Sequence, residues 1–434
     1  MIDALEDNCL ATIFSYLPIK DKLNVEIVCK RWKSVSQISW RNYHRIDPFA
    51  KEFTDVSNML ERIFLCKAAV QKYPDSITEL KLACTGTFKK LDLMDFLGDG
   101  DIMQGEGQLD AFKDVFLSCR NIQHLKLCSC FINCNDQFLG EIFKNNNQIR
   151  TLELTNMDLK GACFALLRSE VLESLVLVCC HIEKLNTALF SISPKLSQVC
   201  LRNTLFLHPL NTLAFITPKL RELDLSYQAM FLINNPKVKL VADDFVLSVR
   251  SNVPIMRNLK VLRLSSSLAV DDEFVRLLGR YCINLRGLDL GFCYLVTDQG
   301  LKALSTLPKL KCLKIDGPSK RTNKGLENLN PNVKTLSAIT TKYTHRGFLE
   351  ALKKSKNLKK IILGGQDLTS ALVNSLIRSI PKLKLNRTIE LRLSVLSDFR
   401  KEIMRPENPG VRVTIQKCKD TYEELFGPIP AHLL

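Results

Sequence analysis

From residue 77 onward a single apolar spacing recurs: one apolar residue, two of any kind, a second apolar residue, one of any kind, a third. It reads Ile77/Leu80/Leu82, Ile122/Leu125/Leu127, Ile149/Leu152/Leu154, Leu172/Leu175/Leu177, Leu196/Val199/Leu201 and Leu220/Leu223/Leu225. It goes on as Leu259/Leu262/Leu264, Leu285/Leu288/Leu290, Leu310/Leu313/Ile315, Val333/Leu336/Ala338 and Leu358/Ile361/Leu363. Most starts lie 23 to 27 residues apart. Alternation at the last two apolar positions marks a short strand whose intervening side chain faces the other way. Helical segments such as Gly300–Leu304 and Phe348–Leu352 stand between strands. A strand plus a helix this short cannot bury its apolar face alone, so neighbouring units must stack. The expected fold is α/β: a curved solenoid with parallel strands on the concave face and helices on the convex face.

The period is that of a leucine-rich repeat. The third residue after the last strand position should turn inward and be small; it is Thr85, Cys130, Cys180, Thr204, Ser267 and Cys293 in six units. Cys119 and Cys282, three residues before a first apolar position, occupy a second inward site. The run Cys282-Ile283-Asn284-Leu285 through Thr297-Asp298-Gln299-Gly300-Leu301 resembles the cysteine-containing subtype of these repeats. Pro194, Pro218 and Pro308 open Pro-Lys-Leu segments where the chain enters a strand. Two long intervals imply insertions near 86–115, acidic and glycine-rich, and near 227–257, where Asn234-Asn235-Pro236 marks a turn. After Leu363 the pattern blurs. Pro381-Lys382-Leu383 hints at one strand and Thr388/Leu391/Leu393 at another, with a cap around Val411, Val413 and Ile415. About 12 units are expected over 77–434.

Ahead of the repeats, Leu10, Ile13, Phe14 and Leu17 form one apolar stripe at helical spacing, ended by Pro18. Asp21 is placed to cap a second segment carrying Leu23, Val28, Trp32 and Val35. Helices this short cannot bury so many large side chains against one another, which leaves apolar surface for a partner. The order Leu5, Ile13-Phe14-Ser15-Tyr16-Leu17, Val28-Cys29-Lys30-Arg31-Trp32 resembles an F-box, with Glu6 where that family has proline. The resemblance implies docking to the Skp-type adaptor of a cullin–RING ubiquitin ligase through Leu5, Leu10, Ile13, Phe14, Leu17, Leu23, Val28, Cys29 and Trp32. The module is expected over 1–46. A helical connector over 47–76 should follow, its Leu60, Ile63, Phe64 and Ala68 sealing the first repeat.

The acidic amino terminus lacks a basic region before its apolar stretch, and no apolar run reaches membrane-spanning length. A soluble protein of the cytoplasm, the nucleus or both is expected, with no membrane partner, and its 16 cysteines as reduced thiols. Cys128, Cys130 and Cys134, and the pair Cys179-Cys180, lack a second ligand pair at zinc spacing. No metal or cofactor is expected. Six scattered histidines and the lack of a phosphate-binding loop give no catalytic constellation, so a non-catalytic subunit is expected.

The net charge is +16, and from Leu301 to Leu434 there are 26 Lys plus Arg against 11 Asp plus Glu, a balance of +15. That excess favours an acidic or phosphorylated protein substrate. Lys314, Lys360 and Arg392 hold the alternating strand position expected to face the concavity and are the candidate substrate-binding cations. The expectation is a substrate-recognition subunit of a Skp–cullin–F-box ligase. Two alternatives stay open: a leucine-rich scaffold without a degradation role, and, with less support, association with nucleic acid through the basic third.

Overall fold

The computed structural model describes residues 4–41, 43–48, 50, 53, 56, 59–82, 113, 116–129, 134–183, 193–206, 216–227, 248–317, 320–365, 368–395 and 402–417. The chain divides into two compact units, Met1–Leu196 and Ser197–Leu434. The acidic insertion, Thr85 and Cys130 fall outside the described residues, as does much of the 227–257 insertion.

In the first unit, helices α1 (Asp7–Ser15), α2 (Ile19–Val25) and α3 (Lys30–Trp40) lead to strand β1 (Arg45–Ile46) and helix α4 (Met59–Lys72). Strands β2 (Glu79–Leu82), β3 (His124–Cys128), β4 (Thr151–Thr155) and β6 (Ser174–Val178) extend β1 into one parallel sheet. Two short strands, β5 (Asp158–Leu159) and β7 (His181–Ile182), pair in parallel beside it. The sheet therefore begins at Arg45, before the expected start of the repeats at 77. The His44 carbonyl accepts from the N–H groups of Thr78 and Glu79, both at 2.9 Å, which joins the helical module directly to the first repeat.

The second unit holds β8 (Gln198–Cys200), β9 (Leu205–Phe206), β10 (Glu222–Asp224), β11 (Val261–Arg263), β12 (Gly287–Asp289), β13 (Cys312–Lys314), β14 (Thr335–Ser337), β15 (Lys360–Gly364), β16 (Ile389–Val395) and β17 (Val411–Lys417). All but β9 pair in parallel, each with the next in sequence. Helices Asp272–Tyr281, Asp298–Leu304, Asn323–Glu327, His345–Lys354 and Ser370–Ser379 connect successive strands. Every apolar triad recognised in the sequence is buried, from Ile77 to Leu363. At about 1.5–3 kcal/mol per large side chain, this burial dominates the stability of the stack. Pro381–Leu383 is a turn of 3-10 helix and not a strand, because Lys384 adopts a left-handed conformation directly after it.

Two devices lock neighbouring repeats together. In nine repeats the residue two beyond the last strand position is left-handed: Asn156 and Cys179 in the first unit, and Asn203, Tyr227, Ser266, Phe292, Gly317, Thr340 and Gly365 in the second. Its N–H then reaches the following unit, as from Tyr227 to the Ser265 carbonyl and from Phe292 to that of Asp316, both at 2.8 Å. A non-glycine residue held this way costs about 1–2 kcal/mol, which the hydrogen bond and close stacking offset. The second device runs between helix starts. Asp272 accepts from the Thr297 N–H, the Thr297 hydroxyl and the Gly300 N–H at 2.8, 2.6 and 2.9 Å. Asp298 accepts likewise from the Thr322 N–H and hydroxyl at 2.7 and 2.6 Å. A Cβ at Gly300 or Gly325 would stand 2.5 Å from the aspartate oxygen.

The inward cysteines serve carbonyls. Cys180 donates its thiol to Leu154 O at 3.4 Å, and Cys293 donates to Leu264 O at 3.2 Å, each in the preceding unit. Burial pushes the thiols of Cys119, Cys134, Cys180, Cys282 and Cys293 up to about 12, so they stay protonated at neutral pH.

Candidate functional site

Two regions carry the side chains singled out by the sequence: the amino-terminal helices of the first unit and the strand face of the second.

Among the helices, Leu10, Ala11, Phe14 and Val35 form a core against which Leu5, Leu17, Val25 and Trp32 pack. Phe14 and Trp32 meet edge to face at 5.3 Å, a geometry that adds to their area burial. Trp32 keeps a buried indole N–H without an acceptor among the described residues. Arg31 ties the start of α1 to α3, donating to Asp7 Oδ1 and to the Leu5 carbonyl. Cys29 has a local duty: as N-cap of α3, its sulfur accepts from the Trp32 N–H at 3.4 Å. Glu6, at the proline position of the resemblance, is the N-cap of α1 with φ of −64°, already within proline's range.

The module is anchored to α4 through charge. Lys20 pairs with Glu61 at 2.9 Å, and Lys72 with Glu26. Glu26 also accepts from Trp40 Nε1 at 2.7 Å and Ser36 Oγ at 3.2 Å. Lys22 is buried with its ammonium over the rings of Trp40 and Tyr43, at 5.7 and 5.6 Å. In α4 itself Ile63 is buried, whereas Phe64 is exposed.

The nine residues expected to face a partner therefore separate by role. Leu10 and Phe14 are interior, and Leu5, Leu17, Leu23 and Trp32 are half-buried. Ile13, Val28 and Cys29 are exposed, at 47% and 59% for the first two. Tyr16 and Ile27, which the spacing argument passed over, are more exposed still, at 84% and 85%. The signal for them was present: Tyr16, the C-cap of α1, follows Ile13 by three residues, and Ile27-Val28 occupies an interhelical turn that gives neither a packing duty. The module fills its own core and still leaves five large apolar side chains, Ile13, Tyr16, Ile27, Val28 and Ile38, in water.

On the second unit's strand face the expected cations are all held in ion pairs. Lys314 is buried, 3.4 Å from Asp289 Oδ2 and 3.6 Å from Asp316 Oδ2. Asp289 Oδ1 also accepts from the Ser265 hydroxyl and, at 2.9 Å, from the Gly291 N–H. Asp316 Oδ1 accepts from Ser337 Oγ at 2.7 Å and the Ile339 N–H at 2.9 Å. Burial disfavours the Lys314 ammonium, yet the two carboxylates outweigh it and raise its pKa. Burial likewise raises that of Asp316, against the pull of Lys314 and its hydrogen bonds. Strand pairing sets Asp224, Arg263, Asp289 and Lys314 in one row, so charge alternates along the sheet. Lys360 and Arg392 share Glu390, at 3.1 and 3.5 Å. The three candidates are thus paired cations, and Lys314 is a structural one. Arg387, in the same basic stretch, donates to the carbonyls of Leu358, Leu352 and Ser355 at 2.8, 2.7 and 3.0 Å.

Among the described residues no group of three or more His, Cys, Asp or Glu is gathered to hold a metal ion. No helix among them is long and apolar enough to cross a membrane.

The F-box-like family model matches residues 7–47, the span of α1 through β1 and the residue after it. The amino-terminal module is accordingly an F-box-like domain, followed by stacked leucine-rich units. Two solved structures show loose likeness. The crystal structure of the Rad7 and Elc1 complex in yeast aligns at 15% identity and a TM-score of 0.40, over 74% of this chain and 90% of that one. That of the TLR13–ssRNA13 complex aligns at 16% identity and a TM-score of 0.41, over 79% of this chain and 57% of that one.

Proposed function

We propose that this F-box-like, leucine-rich-repeat protein is a substrate-recognition subunit of a Skp–cullin–F-box ubiquitin ligase. The observation that carries the reading is the exposure of Ile13, Tyr16, Ile27 and Val28 on an F-box-like domain whose core is already filled. Water is a poor environment for four such side chains, and an apolar groove on a Skp-type adaptor would remove them from it. The repeats then hold a protein substrate. The chain forms no bond to ubiquitin; it raises the effective concentration of substrate at the charged enzyme. On this reading it works where that machinery works, in the cytoplasm or nucleus.

The test is a pull-down of the full chain and of Ile27→Asp/Val28→Asp from cell extract. Adaptor and cullin should be lost from the variant while repeat-bound proteins remain and accumulate. Equal recovery of adaptor and cullin on both proteins contradicts the proposal.

A further inference from the structure

We infer that the second unit carries an edge that binds an extended acidic polypeptide, formed by Arg221, Lys260, Arg286, Lys311, Lys334 and Lys359. Each follows the first apolar residue of its unit, and the backbone brings them into one row. The Arg221 carbonyl accepts from Lys260 and Val261, that of Lys260 from Arg286 and Gly287, and that of Arg286 from Lys311 and Cys312. The Lys311 carbonyl accepts from Lys334 and Thr335, and that of Lys334 from Lys359 and Lys360. Six consecutive strands therefore place six cations side by side. With strands about 4.8 Å apart, the row spans about 24 Å.

These cations differ from Lys314, Lys360 and Arg392 in one decisive respect. None of the six makes an ion pair among the described residues. Arg221, Arg286, Lys334 and Lys359 are exposed, and Lys260 and Lys311 half-buried. In the adjoining row Glu222, Val261, Gly287, Cys312 and Thr335 offer one carboxylate, at the end beside Arg221. A positive row of this length attracts a polyanion and falls in strength with salt.

The chemistry beside the row favours a polypeptide over nucleic acid. Single-stranded nucleic acid is held by aromatic side chains on which bases stack, and this row has none. Instead, exposed Ile255 and Ile283 lie in the segments just ahead of Lys260 and Arg286. Those segments are bound together, since Asn284 Nδ2 donates to Arg257 O at 2.9 Å and Lys309 Nζ donates to Asn284 Oδ1 at 2.6 Å. Cations flanked by exposed isoleucines fit a chain that alternates carboxylates with apolar side chains. In an extended chain same-face side chains recur about every 6.8 Å, close enough for several carboxylates to meet the row. The inference concerns the second unit and does not depend on adaptor docking.

The experiment is fluorescence anisotropy of the full chain with a labelled peptide of about 12 residues alternating Glu and Leu. The wild type should bind at 50 mM salt and weaken at 200 mM. Arg286→Glu/Lys311→Glu/Lys334→Glu should lower affinity at least about tenfold. Lys302→Glu/Lys324→Glu/Lys354→Glu, the same charge change on exposed helix positions of neighbouring units, should stay within about twofold. Thermal unfolding confirms that both variants fold. Three results overturn the inference: no binding by the wild type, equal losses in the two variants, or tighter binding of a 12-nucleotide single-stranded DNA that the first variant also loses.

Discussion

Lys314 meets Asp289 at 3.4 Å across neighbouring strands, with both side chains buried. A buried ion pair contributes little net stability over an apolar replacement of both partners, but removing one partner leaves a buried charge uncompensated. Lys314→Met should therefore destabilise the second unit by about 3–5 kcal/mol at pH 7 in urea unfolding. The pH dependence carries a sign. Asp316 already titrates above its ordinary 3.8, so its contribution is greatest below that value and is lost as pH rises through the folded pKa. Without Lys314 that folded pKa climbs further, and the deficit of the variant should shrink as pH falls from 7 toward 4. In the wild type, the raised pKa of Lys314 means its contribution persists below 10.5 and fades as pH climbs through the higher folded value.

Gly325→Ala should destabilise by about 1–3 kcal/mol, because the new Cβ meets Asp298 Oδ1 and displaces it from Thr322. The loss should be less than additive with Asp298→Ala, since both changes break the same lock. Additive losses in a double-mutant cycle would place the cost elsewhere.

Glu6→Pro should stabilise the amino-terminal helices by about 0.4–1 kcal/mol, because φ at Glu6 is −64° and the unfolded chain loses freedom. Denaturant unfolding of the full chain, monitored by Trp32 and Trp40 fluorescence, reads it directly.

Exposed Cys9, Cys29 and Cys179 should take up iodoacetamide within minutes at pH 8. Cys119, Cys134, Cys282 and Cys293 should react only on unfolding, being buried and held protonated by their surroundings. Peptide mass spectrometry after timed quenching separates the two groups.

The repeat register was legible because burial of the triads is a local, periodic requirement, as Leu285/Leu288/Leu290 show. The fate of Lys314 was not, since its partners include Asp289, 25 residues earlier, and nothing local marks that carboxylate as buried. Left-handed Tyr227 and Phe292 were hidden for the same reason: neither residue type signals positive φ, and only stacking imposes it. At the amino terminus, helical spacing identified the apolar stripe but could not divide it. Phe14 turned inward against Trp32, while Ile13, one residue away, stayed in water. The basic row from Arg221 to Lys359 was readable letter by letter, yet it became a row only through the parallel register.

Docking through the F-box-like domain is tested most directly by the affinity of the purified full chain for a purified Skp-type adaptor, measured by titration calorimetry beside a melting curve. Ile27→Asp/Val28→Asp should weaken binding by at least about 100-fold, or about 2.7 kcal/mol, with an unchanged melting temperature, because both side chains lie outside the core. Wild-type affinity in that variant would contradict it.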